Sequence, residues 1–398
     1  MGYKTSTSIE NALQGLASSY PNTCSQFYLT QSTHEQVRVP AVRIHAGAQS
    51  PTPVLFTGGV HARELVPPDA LLSFCNNLLW AYDNGSDVIY SDFTDTDGNP
   101  YDQYIVDNST VKTILENFSL FVVPCVNPDG RNFVLSASDP AHKMWRKNRR
   151  PDPTCPGVDI NRNFPFVWDA DTYYAPSVVS TINTSKNPCA YNFRGYTQAP
   201  SPNTGAEPET QNLIDLVAQQ RIQYLVDVHM SGRNVLYPWG METDQSTNAS
   251  QNFSNTSFDR NRDGLTGSAY GEYLPNNATS PRGQLLDRLA QLADSMAAEV
   301  TNSAGSDPTA IGRSTYIAKQ SVLLAPTTGA FDDYTFGQQF VNTSLATTCA
   351  FTLECGFEGG NPNDPDDCDG GFAPDFDTQY PKVEREVHAA LFGLFKAI

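Results

Sequence analysis

The chain passes from an apolar strand into a helix through the stretch Phe56-Thr-Gly-Gly-Val-His61-Ala-Arg-Glu64-Leu-Val-Pro-Pro-Asp69. The two prolines followed by an aspartate are typical of the first turn of a helix. His61 and Glu64 therefore lie between the strand end and the helix start. An imidazole and a carboxylate three residues apart can bind one metal ion, and catalytic zinc sites often combine two His with one Glu. In α/β folds, ligand sites lie at this carboxyl end of the strands.

Apolar runs of strand length alternate with helical patterns along the rest of the chain. The predicted strands are Val39–His45, Val54–Thr57, Leu120–Val126, Tyr224–Val228 and Ala350–Leu353. The predicted helices are Leu71–Tyr82, Glu209–Gln219, Gln284–Val300 and Val383–Phe395. This alternation predicts an α/β fold with a largely parallel or mixed sheet. Without a repeat or linker, residues 1–398 are predicted to form one domain, with residues 83–107 and 241–283 as surface-loop insertions.

Composition excludes several classes of protein. The 398 residues include 43 Asp and Glu against 25 Lys and Arg, a net charge of −18, which disfavours nucleic-acid binding. The chain has 21 Phe and 18 Tyr, which argues against disorder. No apolar stretch approaches 18 residues, so no membrane span is predicted.

Cysteines and glycosylation motifs point to an extracellular protein. The eight cysteines are even in number and form no C-x-x-C motif, which favours disulfides over a thiolate zinc site. Nine N-x-S/T motifs accompany them, beginning at Asn84, Asn108, Asn117, Asn183, Asn248, Asn252, Asn255, Asn277 and Asn342. We therefore predict a secreted, disulfide-bonded glycoprotein. The chain opens without an apolar segment, so any signal peptide is expected to have been removed or never to have existed.

Polar residues at other strand ends suggest partners for His61 and Glu64. His229 follows the run Tyr224–Val228 and would reach the same edge of a parallel sheet, although it also fits a structural histidine. Glu354 closes Ala350–Leu353, where burial would raise its pKa and let it transfer protons near neutrality. The alternative for Glu354 is a carboxylate that turns to solvent.

Two clusters carry arginines among aromatic or amide residues: Met144-Trp-Arg146-Lys and Asp159-Ile-Asn161-Arg162-Asn163. A guanidinium can bind a carboxylate through two hydrogen bonds, and a neighbouring amide can add another donor. The alternative for an Asn-Arg pair is a salt bridge within a loop.

Taken in order, these pieces resemble the zinc metallocarboxypeptidases of the carboxypeptidase A type. The matching stretches are His61-Ala-Arg-Glu64, Asn127-Pro-Asp-Gly130, Met144-Trp-Arg146-Lys, Asp159-Ile-Asn161-Arg162-Asn163, Val228-His229 with Tyr237-Pro-Trp-Gly240, and Phe351-Thr-Leu-Glu354. The resemblance implies a single α/β domain with a mixed, twisted sheet of eight strands flanked by helices. It also implies a monomer that acts on peptides with a free C-terminal carboxylate.

The resemblance assigns roles to individual residues. His61, Glu64 and His229 would bind one Zn²⁺, with water in the remaining place. Glu354 would act as general base and then general acid, and Arg146 would stabilise the oxyanion.

Substrate contacts and disulfides follow from the same resemblance. Asn161 and Arg162 would hold the terminal carboxylate, and Arg63 would lie along the substrate path. The resemblance also implies a disulfide between Cys155 and Cys189 and, more loosely, one between Cys355 and Cys368.

The chain departs from the family pattern near residue 325. The family carries a tyrosine that caps the bound substrate, and the corresponding place here falls on Leu324 or Ala325. Tyr316 or Tyr334 could substitute for it. Only 60 residues precede His61, so we expect either a mature form or a lineage without the family's N-terminal activation domain.

The same region sets the side-chain preference. Ungapped alignment puts Phe331 at the base of the specificity pocket, with Leu236, Gly240 and Leu323 around it, which predicts apolar C-terminal residues. A shift of one residue would put Asp332 there and predict Lys or Arg instead.

A calcium loop is a further hypothesis. Asp259, Asn261 and Asp263 place oxygen donors at alternate positions, as in the opening of a calcium loop, but Tyr270 stands where its last acidic ligand should be. A plain hydrophilic loop is the alternative.

Two other functions compete with peptide trimming. Relatives with the same zinc ligands deacylate small amino acids or cut cell-wall peptides. A non-enzymatic binding module would be expected to lose Glu354 or a zinc ligand, and this chain keeps all four residues.

Overall fold

A central sheet carries most of the strands of the protein. The computed structural model describes residues 2–47, 50–96, 98–196, 206–265, 269–274, 285–342, 345–357 and 371–398. Its strands are β1 (Cys24–Ser32), β2 (Arg38–Ile44), β3 (Thr52–Gly58), β4 (Val88–Tyr90), β5 (Phe93–Thr94), β6 (Pro100–Tyr101), β7 (Tyr104–Val106), β8 (Phe118–Val123), β9 (Tyr224–Met230), β10 (Asn234–Tyr237), β11 (Gln245–Ser246), β12 (Glu272–Tyr273), β13 (Ile317–Gln320) and β14 (Cys349–Cys355). Eight of them form one sheet in the order β1-β2-β8-β3-β9-β14-β10-β13.

The sheet is mixed, as the sequence predicted. Strands β8, β3, β9 and β14 run parallel to their neighbours within that group, whereas β1, β2 and β10 each pair antiparallel to a neighbour. All five predicted strands are present, with ends shifted by at most three residues.

Helices flank the sheet. They are α1 (Ser6–Ser19), α2 (Val66–Asn84), α3 (Asn108–Asn117), α4 (Pro128–Ser136), α5 (Pro140–Lys143), α6 (Ala170–Tyr173), α7 (Pro208–Gln220), α8 (Leu285–Ser303), α9 (Pro308–Arg313), α10 (Phe331–Val341) and α11 (Tyr380–Ala397). The four predicted helices correspond to α2, α7, α8 and α11. Helix α2 has prolines in its first turn and is capped after Asn84 by Gly85, whose φ of 62° suits a residue without a Cβ. No helix of the described residues is long and apolar enough to span a membrane.

Three parallel strands position the polar residues singled out from the sequence. In the sheet, β3 pairs with β9, and β9 pairs with β14, so their carboxyl ends lie at one edge. His229 and Glu354 are direct neighbours in the register of β9 and β14. His61 follows the end of β3 by three residues. The prediction that these strand ends meet is therefore confirmed.

Residues 83–107, predicted as a surface-loop insertion, contain short paired strands. In the part of this segment that the structure describes, β4 pairs with β7 and β5 pairs with β6. Val88, Tyr104 and Val106 are buried, and the Tyr104 hydroxyl donates to Glu299 Oε1 at 2.7 Å. These strands have two or three residues each, too short to show a clear alternating pattern.

The second insertion, residues 241–283, is also partly internal. Its described portions, 241–265 and 269–274, include the parallel pair β11 and β12. Arg262 is fully buried there, with Nε 3.3 Å from Glu272 Oε2. A buried ion pair is formed by charged residues, so the hydrophilic composition of this segment did not distinguish it from an exposed loop.

One predicted disulfide is confirmed. Cys155 and Cys189 are bonded. Cys368, the proposed partner of Cys355, lies outside the described residues, as does the glycosylation motif at Asn277.

Candidate metal centre and active site

The turn after β3 places His61 and Glu64. Gly59 has a φ of 62°, and a Cβ there would lie 2.9 Å from Pro68 Cγ. Glycine is therefore required for the chain to turn directly from the strand into helix α2. The turn brings His61 Nδ1 to 2.6 Å from Glu64 Oε1.

His229, from β9, completes a buried group of three. Its Nδ1 lies 3.0 Å from Glu64 Oε2 and 3.0 Å from His61 Nδ1. One ligand atom of each residue lies within 4.8 Å of the others, and all three side chains are buried. Two imidazole nitrogens and a carboxylate converge here, as the sequence predicted. Such a set suits zinc.

Two aspartates orient the imidazoles. His61 Nε2 lies 3.2 Å from Asp159 Oδ1, and His229 Nε2 lies 2.6 Å from Asp227 Oδ2. A carboxylate that accepts the Nε2 proton leaves the Nδ1 lone pair free for a metal. Both Nδ1 atoms face Glu64, so the residues present fit a zinc ion. Thr57 Oγ1 in turn donates to Asp227 Oδ1 at 2.6 Å.

The sequence interpretation missed this role for Asp159 and Asp227. Asp159 lies in a motif whose Asn-Arg pair is its most conspicuous feature in the sequence. Asp227 is the sole charged residue in the apolar strand Tyr224–Met230, two positions before His229 and on the same side of the strand. A charge inside an apolar run is a signal that could have identified it.

Charges around the group perturb its ionisation. Burial opposes ionisation, but His61 and His229 lower the pKa of Glu64 below its usual range. In the same way, Arg146 and His61 offset burial and hold the pKa of Asp159 well below its usual range. Both carboxylates are therefore anions at neutral pH.

Glu354 lies at the same edge of the sheet, beside His229. Burial, together with the nearby Glu64 carboxylate, raises the pKa of Glu354 to about 7, against the opposing charges of His229 and Arg146. A carboxyl group that titrates near neutral pH is suited to accept and donate a proton.

A cavity of about 620 Å³ joins this group to most of the other predicted residues. Among its lining residues are His61, Arg63, Glu64, Arg146, Asn161, Arg162, Leu236, Asp332 and Glu354. Arg146 Nε donates to Asp159 Oδ2 at 2.9 Å, and Asp159 Oδ1 contacts His61, so one carboxylate links the guanidinium to His61. Arg63 lies with Cζ 4.1 Å from the centre of the Phe372 ring, which also lines the cavity.

The structure corrects the placement of Phe331. Its ring is buried and stacks on Phe164 at 4.7 Å between centroids, outside the cavity lining. Helix α10 begins at Phe331, and successive helical residues point about 100° apart. Asp332 therefore faces the cavity while Phe331 faces the core. Leu323, expected beside Phe331, is 59% exposed and does not line the cavity.

Neither tyrosine considered for the cap reaches the cavity. Tyr316 is buried, and its hydroxyl donates to Glu386 Oε2 at 3.0 Å. Tyr334 packs near Phe164, with 5.6 Å between ring centroids. Leu324 and Ala325, at the aligned place, do line the cavity.

The calcium hypothesis is not supported. Asp259 Oδ1 lies 3.9 Å from the Arg262 guanidinium, and Asp263 Oδ1 accepts a hydrogen bond from the Leu265 N–H. An arginine within the loop thus supplies the positive charge that a cation would provide. In the described parts of the chain, neither aspartate belongs to a group of acidic, His or Cys side chains that could hold a metal.

A second such group, His34, Glu207 and Glu209, is already engaged in protein contacts. Glu207 Oε1 lies 2.5 Å from Arg150 Nη1, and His34 Nε2 lies 2.7 Å from Glu207 Oε2. Asn148 Nδ2 donates to both glutamates. We interpret it as a buried ion-pair network.

The fold and the buried ligands of the cavity define an α/β protein with a site for a divalent metal. A sequence model of the family described as zinc carboxypeptidase matches residues 9–386, and the chain belongs to that family. The family implies Zn²⁺, which agrees with the His61, Glu64 and His229 group.

Curated relatives extend this similarity. Metallocarboxypeptidase A of Trichophyton rubrum is 28% identical over 242 residues, which cover 60% of this chain and 47% of that protein. Carboxypeptidase B of Helicoverpa zea is 30% identical over 205 residues, 50% of this chain and 37% of that protein. The chain therefore spans about half the length, or less, of these curated relatives.

Solved structures share the fold. Bovine thrombin-activatable fibrinolysis inhibitor, solved in complex with tick carboxypeptidase inhibitor, aligns with a TM-score of 0.64 at 16% identity, covering 99% of this chain and 96% of that chain. Carboxypeptidase A from Helicoverpa armigera aligns with a TM-score of 0.60 at 18% identity, covering 98% and 73% of the two chains.

We expect Asp227→Asn to weaken zinc binding by about 10- to 100-fold, the usual cost of losing such a partner of a ligand. An amide can present its NH₂ group to His229 Nε2, which would favour the tautomer with a proton on Nδ1. Competition with a chromogenic chelator measures the affinity. Exposed Asp83→Asn is the control, and equal affinity of the two variants would show that Asp227 does not support the ligand.

Proposed function

We propose that this chain is a zinc-dependent exopeptidase that hydrolyses the C-terminal peptide bond of peptides. One observation carries the proposal: the cavity lined by Glu354 and by His61 and Glu64 of the metal group is also lined by the neighbouring pair Asn161 and Arg162. A site that combines hydrolytic groups with a carboxylate-binding pair suits a substrate cut next to its free terminus.

Zinc bound at this site would polarise the scissile carbonyl and make water more acidic. Glu354 accepts a proton from the attacking water and then donates it to the leaving amine. Arg146 donates hydrogen bonds to the oxygen on which negative charge develops. Asp159 holds this guanidinium through Nε, while Nη1 lies 3.9 Å from Glu64 Oε1, and Arg146 lines the cavity.

Asn161 and Arg162 hold the terminal carboxylate in the proposed complex. Arg162 is positioned by its own backbone contacts, since Nε donates to Asn183 O at 2.6 Å and Nη1 to Asn161 O at 2.6 Å. Asn161 Oδ1 accepts a hydrogen bond from the Phe331 N–H at 2.8 Å, so its NH₂ group is the part of the amide that can donate to a substrate. A peptide without a free carboxylate would leave the Arg162 charge uncompensated, which disfavours internal cleavage.

The preferred C-terminal residue in this proposal is Lys or Arg, the reverse of the preference deduced from ungapped alignment. Asp332 is a buried carboxylate in the cavity wall, and Ser321 Oγ donates to it at 2.8 Å. Burial raises the pKa of Asp332, so its anionic form lacks full stabilisation. A cationic substrate side chain would supply the missing charge, and the apolar Leu236 could pack against its methylene stem.

We further propose that the enzyme is secreted, on the basis of the Cys155–Cys189 disulfide.

Blocked dipeptides that end in Phe, Leu, Arg, Lys or Glu test the proposal, each with and without a zinc chelator. We expect fastest release of Arg or Lys, loss of release with the chelator, and recovery after adding Zn²⁺. Faster release of Phe would overturn the basic preference but keep the exopeptidase. Absence of release from all five, with release of an amino acid from acylated substrates, would point to a deacylase instead.

A further inference from the structure

Tyr191 stands out among the residues around the cavity. Of the described residues that line it, Tyr191 is the only tyrosine, and its side chain is 57% exposed. Large aromatic side chains in this protein are mostly buried, so an exposed ring that lines the active-site cavity is available to contact a substrate.

The segment that carries Tyr191 is firmly attached to the protein. The Cys155–Cys189 disulfide lies two residues before it, and Phe193, two residues after it, is buried. Lys147 Nζ donates to Pro188 O at 2.8 Å. Tyr191 is thus presented from a fixed backbone, which reduces the entropy lost when it contacts a ligand.

Asn183 connects the hydroxyl of Tyr191 to Arg162 of the proposed carboxylate site. The hydroxyl donates to Asn183 Oδ1 at 3.1 Å, and the backbone oxygen of Asn183 accepts from Arg162 Nε at 2.6 Å. Arg63, Arg162 and Tyr191 also line the same cavity. The tyrosine is therefore part of the cavity wall that also carries both arginines.

Asn183 can release this hydroxyl at little cost. Its Oδ1 atom also accepts a hydrogen bond from Asn192 Nδ2 at 2.9 Å. If the Tyr191 hydroxyl turns away, Oδ1 keeps one partner. A carboxylate is a stronger acceptor than an amide oxygen, which favours the exchange once a substrate is bound.

The place where the family carries its capping tyrosine cannot perform this task here. Leu324 and Ala325 line the cavity there, and neither side chain can donate a hydrogen bond. A donor from a different segment is needed if the substrate carboxylate is to have a third partner besides Asn161 and Arg162.

We propose, on the basis of the function above, that Tyr191 is a substrate-positioning residue that covers the bound C-terminal residue and donates a hydrogen bond to its carboxylate. In this proposal Tyr191 contacts the C-terminal residue and its carboxylate only. The contact does not involve the reacting atoms, so it strengthens binding and leaves proton transfer by Glu354 unchanged.

Tyr191→Phe tests the proposal because it removes one hydroxyl and keeps the ring. We expect KM for the best blocked dipeptide to rise about tenfold, the usual loss for a hydrogen bond to a charged group, with kcat within twofold. We expect the Kd of the zinc-loaded protein for free arginine, and for free phenylalanine in parallel, to rise by the same factor in calorimetric titrations. This binding is measured without turnover.

Tyr196→Phe is the matched control. Tyr196 belongs to the same chain segment, is 43% exposed and donates to Asp152 Oδ2 at 2.6 Å, but it does not line the cavity. An unchanged KM and Kd in Tyr191→Phe would overturn the proposal, as would a fall confined to kcat. A higher KM with an unchanged Kd for the free amino acids would also overturn it, because the carboxylate would then not be the contact. If the wild-type chain releases no residue from any dipeptide, the proposed function itself fails.

Discussion

Glu354→Gln is expected to lower kcat for the best dipeptide by about 10³- to 10⁴-fold, with KM changed by less than threefold. Glutamine keeps the size of the side chain but cannot accept a proton from water at neutral pH. Burial raises the pKa of Glu354 to about 7, which favours a neutral group at this position, so we expect the variant to fold. Steady-state hydrolysis together with thermal unfolding measures both effects.

Glu384→Gln provides a matched control for this change. Glu384 is also partly buried but lies on α11 and accepts a hydrogen bond from the Tyr380 hydroxyl, away from the cavity lining. It should retain wild-type kcat. If Glu354→Gln retained more than a tenth of the wild-type kcat, another group would have to move the proton.

The second large effect is expected at Asp332. Asp332→Asn should lower kcat/KM for a dipeptide ending in Arg by roughly 10²-fold or more, because it leaves a buried guanidinium without a partner. The dipeptide ending in Phe should be cut as well as before or better, since a neutral amide costs less to cover with an apolar ring than a carboxylate does. The ratio of the two kcat/KM values is the measurement.

Asp333→Asn separates this effect from general damage to helix α10. Asp333 is also buried, but its carboxylate accepts from the Gly240 N–H at 2.9 and 3.0 Å and does not line the cavity. It should change stability without changing the Arg-to-Phe ratio. An unchanged ratio in Asp332→Asn would falsify the proposed basic preference.

The ligands and the central strands could be predicted from the sequence because their signals are local. An apolar run predicts a buried strand, and the residue that follows the run is predicted to lie at the edge of the sheet. His61, His229 and Glu354 each follow or close such a run. Three separate strand ends therefore indicated one site before any contact was known.

Other parts of the site depended on contacts between distant residues. Whether Asp227 is a defect in a strand or the partner of a ligand depends on its distance to His229 Nε2. Similarly, the motif around Asn161 did not reveal that Asp159 contacts both His61 and Arg146. Such hydrogen bonds leave no periodic pattern in the sequence.

The sequence by itself determined the α/β class, the order of the strand-end residues and the family resemblance, which in turn implied the mixed sheet. Only the tertiary structure decided which of two adjacent residues, Phe331 or Asp332, faces the cavity, and that Tyr191 stands at its entrance. The physical reason is that local apolar patterns in the sequence indicate which segments are buried and in what order the strands follow one another. The direction of a side chain at a helix start depends on how that helix packs, and a shift of one residue turns it by about 100°.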